Sequence, residues 1–418
     1  MISESLTLPC GHRLANRLCK ASMTEGLADA NDNPTASLRR LYTTWAESGA
    51  ALLLSGNIMI DRRYLERAGN VVVEDERVVP ALKQWADAVH QAGSQLWAQI
   101  SHPGRQCPRL VNARPLAPSE VQLQLIGNYG KPREATEADI ANIIARFATA
   151  AGLVQAAGFD GVEIHAAHGY LLSQFLSPRT NLRHDRWGGA LENRARLLLE
   201  VIAAVRAKVG PRFPVAVKLN SSDFVKGGFT EEESTQVVRW LNDASIDLLE
   251  ISGGTYEQIE CFKTIPENDI RASTRAREAI FLDYAAKIKA VAQMPVMVTG
   301  GFRTLKGMES ALADRQTDMI GVARPFCLDP DWPDRMLNGD LDRLPVPEGR
   351  IKLGSGYFGP NSSSATMRAL NNFAQAGWYY NQIERLGAGR LPKPGLSALG
   401  ALLAHLGKDS TRAFRRKR

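Results

Sequence analysis

The stretch GVEIHAAHGYLLSQFLSP at residues 161–178 begins with a short, mostly apolar run of four residues. From the fifth residue onward, a turn with two histidines follows directly. Continuous apolar runs of this length suit strands that are covered on both faces. The stretch therefore predicts a buried strand at 161–164 whose carboxyl end carries His165 and His168.

Seven further runs of this kind alternate with longer helical patterns. Such alternation is typical of a parallel sheet with crossover helices. Eight units predict an α/β fold, a (β/α)8 TIM barrel. The predicted strands lie at 17–21, 51–58, 95–100, 161–164, 214–219, 247–251, 295–298 and 318–322.

Three segments extend this minimal barrel. LTLPCGHRL near the start predicts an N-terminal hairpin around Cys10 and Gly11 that closes the bottom of the barrel. Residues 103–132 form a long loop after strand 3, which we expect to be a lid, since long connections are usually binding loops. The barrel is predicted to span 1–340, and 341–418 to be a C-terminal helical extension with a basic tail.

Composition excludes several classes of protein. Of the 418 residues, 44% are hydrophobic and 23% charged, and no apolar run approaches the ~20 residues that span a bilayer. The N-terminus lacks the basic start and apolar core of a secretory signal, which predicts a cytoplasmic protein. Five cysteines, scattered without close pairs, predict no metal site; they are Cys10, Cys19, Cys107, Cys261 and Cys327.

The charge distribution argues against nucleic acid as a partner. The net charge is +7. Five of the positive charges lie in the last seven residues, which leaves the body of the chain close to neutral. These five are Arg412, Arg415, Arg416, Lys417 and Arg418.

Polar residues gather where the predicted strands end, and chemistry in such barrels takes place at that face. Two imidazoles three residues apart, His165 and His168, can both donate to one oxygen, which would stabilise an enone as it becomes an enolate. Metal ligation or helix capping by this pair is the alternative. The other residues at or near strand ends are Ala21, Ser22, Met23, Thr24, Gly56, Gln99, Lys218, Gly300, Gly301 and Arg324.

Taken together, these motifs resemble the Old Yellow Enzyme family over most of residues 1–340. The segment from His165 to Pro178 and the following NLRHDRWGGALENRARLL carry the strongest likeness. The supporting motifs stand in the family's order, namely KASMTEGL, AQISHPGR, PREATEADI, VAVKLN, EISGG, VTGGF and GVARPF. The resemblance implies an FMN-dependent ene-reductase that takes hydride from NADH or NADPH, with an enone-like small molecule as substrate and no metal.

The resemblance also implies a role for each site residue. His165 and His168 would bind the substrate carbonyl, and Tyr170 would deliver a proton to the α carbon. Thr24 would contact flavin O4, and Gln99 the pyrimidine edge of the ring. Lys218 would approach N1 and O2, a position where many family members have Arg. Gly300, Gly301 and Arg324 would bind the phosphate, and the flavin site would also include Ala21, Ser22, Met23 and Gly56.

Other functions remain open at this point. A lysine at a strand end with a phosphate site also suits a Schiff-base lyase or aldolase, with Lys218 as nucleophile. Lys218 could instead plug the barrel interior against an internal acid, and Thr24 could cap a turn. A flavin barrel that reduces uridines in RNA is a further alternative. The segment 395–418 could dock onto its own domain or lie on a membrane or a partner, and a homo-oligomer is compatible with the family.

Overall fold

Eight parallel strands close into a barrel in the computed structural model, which describes residues 1–125, 127–254 and 282–416. Four residues named or covered by the sequence analysis lie outside the described residues. They are Cys261, Lys417, Arg418 and, within the predicted lid, Ile126. The described strands are β1 (Leu6–Thr7), β2 (Arg13–Leu14), β3 (Leu18–Lys20), β4 (Leu52–Leu54), β5 (Ile58–Met59), β6 (Gln95–Ser101), β7 (Leu116–Ala117), β8 (Arg133–Glu134), β9 (Gly161–Ala166), β10 (Val215–Asn220), β11 (Leu248–Ser252), β12 (Val296–Thr299) and β13 (Met319–Val322). In barrel order the strands are β3, β4, β6, β9, β10, β11, β12 and β13, and β13 pairs with β3.

Helices surround this barrel and follow its strands. Two of them begin with capping boxes, in which Thr136 pairs with Asp139 and Thr230 with Glu233. Each box satisfies backbone amides that the first helical turn leaves free. The described helices are α1 (Ala36–Ala46), α2 (Val79–Gln91), α3 (Glu137–Ala156), α4 (Leu171–Leu176), α5 (Leu191–Val209), α6 (Glu231–Leu241), α7 (Leu282–Lys289), α8 (Leu305–Ala313), α9 (Trp332–Leu337), α10 (Ala365–Gly387) and α11 (Ala398–Arg415).

The lower half of the barrel interior is apolar and sealed by the N-terminal hairpin. Strands β1 and β2 pair antiparallel, as predicted around Cys10 and Gly11. Their leucines pack on buried side chains from the barrel strands, including Trp97 and Met297. Gly161 is required at this level, because a Cβ there would lie 2.6 Å from the Trp97 ring. The floor is thus closed, and the polar strand ends lie at the opposite face.

Most strand boundaries differ from the prediction by one residue, and two strands differ by more. Strand β9 continues to Ala166, two residues past its predicted end, because its pairing with β10 persists to that residue. The predicted strand at 51–58 is interrupted after Leu54. There the backbone N–H of Gly56 donates to the Glu25 carboxylate at 2.7 Å instead of to a neighbouring strand. The longer β9 places His165 inside its strand, deeper than the sequence predicts, whereas Lys218 lies within β10 as predicted.

The loop after β6 packs closely against the strand ends. A single turn of 3-10 helix, Gly104–Gln106, is buried, and Gln106 Nε2 donates to the carbonyl of His168 at 3.1 Å. Further along, β7 pairs with β8. The loop therefore borders the polar face, and its function as a lid stays a prediction.

The C-terminal helices pack on the barrel. Helix α10 lies against α1, where Arg40 Nη1 donates to the carbonyl of Gly387 at 3.2 Å. Helix α11 buries Leu402 and His405, and the buried guanidinium of Arg67 pairs with Asp409. The segment is therefore docked on its own chain, one of the two arrangements that the sequence leaves open. Across the residues that the structure describes, no helix combines the length and the apolar composition needed to cross a bilayer.

Candidate active site

Strand β9 and the turn after it bring together the three side chains predicted to act on substrate. The His165 ring centroid lies 5.1 Å from that of His168 and 4.8 Å from that of Tyr170. His168 adopts a φ of 60° and Gly169 one of 75°, a left-handed pair that reverses the chain. This turn returns Tyr170 to His165, which explains how a spacing of five residues produces a contact.

His165 is held as a neutral hydrogen-bond donor. Its Nδ1 accepts from the backbone N–H of Ala167 at 3.2 Å, so the ring proton resides on Nε2. Burial, the neighbouring His168 and the positive charge of Lys218 lower the pKa of His165 well below 6.5. Burial and Lys218 also lower the pKa of His168 well below that value. Both rings are therefore neutral near pH 7.

Polar neighbours from adjacent strands fix His168 and Tyr170. The backbone N–H of His168 donates to Asn220 Oδ1 at 3.0 Å, and its Nε2 lies 2.7 Å from Ser252 Oγ. Asn57 Nδ2 lies 3.3 Å from both the Tyr170 hydroxyl and Thr24 Oγ1. Asn57 thus connects Thr24, which follows the first barrel strand, to Tyr170, the predicted proton donor.

A second polar chain crosses the barrel below these residues. Ser22 Oγ donates to Gln99 Oε1 at 2.7 Å, and Gln99 Nε2 donates to Glu163 Oε2 at 2.6 Å. Both ends of the Gln99 amide are thus oriented by protein partners. Glu163 and His165 lie two residues apart on β9, so they share its interior face.

Lys218 lies in a buried ion pair. Its Nζ is 2.7 Å from Glu250 Oε1, and the two residues stand opposite each other in the β10–β11 register. Burial opposes the charge of Lys218, but Glu250 and Glu163 outweigh it and raise the pKa of the ammonium. The alternative in which Lys218 faces an internal acid therefore describes the structure, and an amine whose protonated form is favoured is a poor nucleophile for Schiff-base chemistry.

The surroundings of the Glu163 carboxyl oppose its ionisation. Burial and the neighbouring Glu250 raise the pKa of the Glu163 carboxyl well above 4.5, while Lys218 and Gln99 lower it less. A second negative charge beside the Lys218–Glu250 pair is unfavourable in a buried site, so this environment favours the protonated form of Glu163.

The remaining residues predicted near the flavin line the ends of the first two strands. The backbone N–H of Ala21 donates to the carbonyl of Val322 at 2.9 Å, and the Met23 sulfur is 3.7 Å from Cys327 Sγ. Gly56 leaves no space for a side chain, because a Cβ would lie 2.2 Å from the Glu25 carboxylate. These residues shape the rim of the polar face.

The ends of β12 and β13 form the predicted phosphate region. Gly300 and Gly301 have φ angles of 125° and 83°, conformations that side chains rarely allow. Arg324 follows β13, and its Nη1 lies 3.2 Å from Glu348 Oε1. Arg303 reaches the same oxygen at 3.0 Å.

Sequence reasoning missed several polar residues of this site. Glu163 and Glu250 could have been found, because a carboxylate inside an apolar strand signals an interior partner. Asn57, Ser252 and Arg303 carry no comparable local signal. Glu348 lies in the C-terminal extension, and only the fold connects it to Arg324.

The arrangement fits a flavin that carries a phosphate. Among the described residues, the buried Asn57 Oδ1 has no hydrogen-bond partner, and it lies next to Thr24 and Tyr170. A buried polar atom of this kind is stable when a ligand satisfies it. The amide of Gln99 suits a pyrimidine edge, and a pair of arginines beside two glycines suits a phosphate.

Comparisons with known proteins assign the chain to a family. A family model described as the NADH:flavin oxidoreductase / NADH oxidase family matches residues 9–342. The chain is 37% identical over 355 residues to an NADH-dependent flavin oxidoreductase of Hypocrea jecorina, covering 80% of this chain and 88% of that protein. It is 35% identical over 419 residues to another of Talaromyces variabilis, covering 92% and 98%.

Among solved structures, the chain resembles an old yellow enzyme homologue from Zymomonas mobilis. The TM-score is 0.69 at 27% sequence identity, and the match covers 82% of this chain and 94% of that one. The predicted family and barrel fold are thereby confirmed. The chain belongs to the NADH:flavin oxidoreductase / NADH oxidase family, and it is an oxidoreductase that works with a flavin and a nicotinamide cofactor.

Proposed function

We propose that the protein is an FMN-dependent reductase that uses NADH or NADPH to reduce the activated carbon–carbon double bond of an α,β-unsaturated carbonyl compound. The observation that carries this proposal is the group of two neutral imidazoles and a phenol at the open face of the barrel. The rings of His168 and Tyr170 stand 5.1 and 4.8 Å from that of His165. Neutral donors next to a proton source are what reduction of an enone requires.

His165 and His168 stabilise the oxygen on which negative charge develops. When bound, FMN supplies the hydride that the β carbon of the substrate receives. The Nε2 proton of His165 is available to the carbonyl oxygen, since Nδ1 already accepts from Ala167. A donor that is oriented before the reaction needs no reorganisation as the enolate forms.

Tyr170 delivers the proton that completes the reduction. Its hydroxyl lies 3.3 Å from Asn57 Nδ2 and its ring packs on His165, so the phenol is held in one orientation. A phenol can protonate a carbanion at the α carbon, because the C–H acid that forms is far weaker than the phenol. The substrate then gains one hydride and one proton across its double bond.

The cofactor contacts follow from the same face of the barrel. Gln99 and Thr24 offer polar atoms to the flavin ring, and Gly300, Gly301 and Arg324 offer a phosphate site. The Lys218 ammonium is paired with Glu250, so towards the ring it would offer a hydrogen-bond donor and no net charge. Since one pair of histidines serves one pocket, NAD(P)H and the enone bind in turn, in a ping-pong cycle.

A named relative supports this substrate class. The chain is 30% identical over 349 residues to an NADH:acrylate oxidoreductase of Vibrio harveyi, although it covers 33% of that protein. Acrylate carries a double bond activated by a carboxyl group. The Schiff-base alternative is disfavoured, because Lys218 is held protonated by Glu250.

An absorbance experiment tests the proposal. Purified protein is examined before and after anaerobic NADH or NADPH, and then after a simple cyclic enone. We expect a flavin band that bleaches with the nicotinamide and returns with the enone. A colourless protein that cannot be reconstituted with FMN would refute the proposal.

Two variants assign the roles. His165→Ala is expected to lower enone reduction by about 10²–10³ while FMN binding stays close to that of the wild type. Tyr170→Phe should slow reoxidation by the enone and leave reduction by NADH unchanged. His184→Ala, an exposed histidine, is the matched control. Equal losses of FMN binding and enone reduction in His165→Ala would contradict the assignment.

A further inference from the structure

His168 is held in a backbone conformation that side chains rarely adopt. Its φ of 60° lies in the left-handed region. Its backbone N–H donates to Asn220 Oδ1 at 3.0 Å, and its carbonyl accepts from Gln106 Nε2 at 3.1 Å. A residue in this region persists only where its surroundings over-determine it. The end of β10 and the loop after β6 therefore fix the main chain of His168 from two sides.

The ring of His168 has a further partner on the next strand. Its Nε2 lies 2.7 Å from Ser252 Oγ. Ser252 ends β11 and stands opposite Asn220 in the β10–β11 register. Asn220 and Ser252 are 1% and 3% exposed, so water competes little for their hydrogen bonds. Two buried neighbours in the barrel thus hold the backbone and the ring of one histidine.

The hydrogen bond between His168 and Ser252 has a favoured direction. The ring is neutral near pH 7, since burial and Lys218 lower its pKa, so one nitrogen carries a proton and the other accepts. Among the described residues, the Ser252 hydroxyl has no acceptor other than Nε2. A buried hydroxyl proton without an acceptor is unfavourable. The hydroxyl is satisfied when it donates to Nε2, which places the ring proton of His168 on Nδ1.

The two histidines then offer different nitrogens to a ligand. His165 carries its proton on Nε2, because its Nδ1 accepts from the backbone N–H of Ala167. The planes of the two rings stand 80° apart, with centroids separated by 5.1 Å. With its proton on Nδ1, His168 adds a second donor. In the other tautomer its Nδ1 would offer a lone pair, which repels a carbonyl oxygen.

We propose that Ser252 is a positioning residue that fixes the tautomer of His168, so that the Nδ1 proton is available to the oxygen of an α,β-unsaturated carbonyl substrate. Ser252 acts through the ring of His168. The proposal rests on the proposed function for the identity of the substrate. The tautomer can be measured without any substrate, so the two proposals can fail separately.

Nuclear magnetic resonance measures the tautomer directly. Long-range nitrogen–proton correlation spectra of the full-length protein as purified, with isotope-labelled histidine, distinguish a ring nitrogen that carries a proton from one that does not. The chain has 7 histidines, and the signals of His168 are those that disappear in His168→Gln. Near pH 7 we expect the proton on Nδ1 in the wild type. In Ser252→Ala, Nε2 loses its donor, and the two tautomers should be mixed.

A ligand titration measures the consequence for the pocket. A saturated cyclic ketone has the carbonyl oxygen of the substrate class but no activated double bond, and its Kd is read from the absorbance of the oxidised flavin. Ser252→Ala should bind the ketone about three- to tenfold more weakly, the equivalent of one net hydrogen bond. The Kd for FMN should not change.

Ser221→Ala is the matched control. Ser221 follows β10, and its backbone N–H donates to the carbonyl of Ser252 at 2.7 Å. Its buried hydroxyl has no hydrogen-bond partner among the residues that the structure describes. The substitution removes a hydroxyl from the same strand ends, so it should leave the tautomer of His168 and both Kd values unchanged.

The outcomes are distinguishable. Wild-type protein with the His168 proton on Nε2 would overturn the role of Ser252 and leave the proposed function standing. The same holds if Ser252→Ala keeps the tautomer and the ketone affinity of the wild type. Equal loss of ketone affinity in Ser252→Ala and Ser221→Ala would mean a general structural role and would also overturn it. A flavin that no enone reoxidises would refute the proposed function, and the spectra of His168 would still decide the role of Ser252.

Discussion

Replacing Glu163 by glutamine should stabilise the protein as the pH rises. Burial and Glu250 raise the pKa of the Glu163 carboxyl well above 4.5, so the folded protein holds a proton that the unfolded chain releases. Glutamine resembles the protonated acid, because its amide keeps an oxygen for Gln99 and a donor for Glu250. Glu163→Gln therefore removes the ionisable group with little change in shape.

The magnitude follows from proton linkage. A group whose folded pKa is raised contributes stability that is present below its unfolded pKa and is lost as the pH rises toward the folded pKa. For one proton this loss is about 1.4 kcal/mol per pH unit. From the ordinary pKa of 4.5 upward, the wild type should lose this much relative to Glu163→Gln, or about 1.4 kcal/mol between about pH 5.5 and about pH 6.5.

Urea denaturation of both proteins at several pH values measures this difference. Glu200→Gln, at a partly exposed carboxyl on α5, is the control, and its pH dependence should follow that of the wild type. Parallel curves for the wild type and Glu163→Gln would refute the reasoning. They would mean that Glu163 is ionised in the folded protein and that the charges of Lys218, Glu163 and Glu250 do not cancel.

Two further predictions concern acid stability and packing. Burial and the neighbouring Arg67 lower the pKa of His405 from 6.5 to about 4, so the unfolded chain binds a proton at a higher pH than the folded protein does. As the pH falls from 6.5 toward 4, the wild type should therefore lose about 1.4 kcal/mol of unfolding free energy per pH unit relative to His405→Gln. Equal acid sensitivity in the two proteins would exclude this role for His405. Gly161→Ala places a Cβ 2.6 Å from the Trp97 ring and should cost about 1–3 kcal/mol in urea denaturation, whereas Gly395→Ala, where no atom lies within 4 Å, should be tolerated. An unfolding free energy of Gly161→Ala equal to that of the wild type would show that the residues of the barrel floor move to accommodate the added methyl group.

The sequence alone predicted the fold because the barrel strands leave a local signal. A strand buried on both faces is mostly apolar, so runs such as Val215 to Val217 are visible without any knowledge of their neighbours. The residues at which the strands end were less predictable. The run at 161–164 was predicted to stop before His165, whereas the ladder of β9 continues to Ala166, because backbone hydrogen bonds do not depend on side-chain polarity.

The substrate-facing group was equally visible in sequence. His165, His168 and Tyr170 lie within six residues, and a single turn brings their rings together. Residues so close along the chain meet through local geometry, since the turn at His168 and Gly169 decides their directions. Their predicted roles in catalysis await the variants described above.

Only the tertiary structure decided which charges meet. Lys218 and Glu250 are 32 residues apart and become partners because β10 and β11 are adjacent in a particular register. Glu348 reaches Arg324 because the extension runs back along the segment that follows β12. The periodicity of the sequence indicates how each segment is buried. A buried charge, however, is stable only beside a suitable partner, and strand order and register determine which residue that partner is.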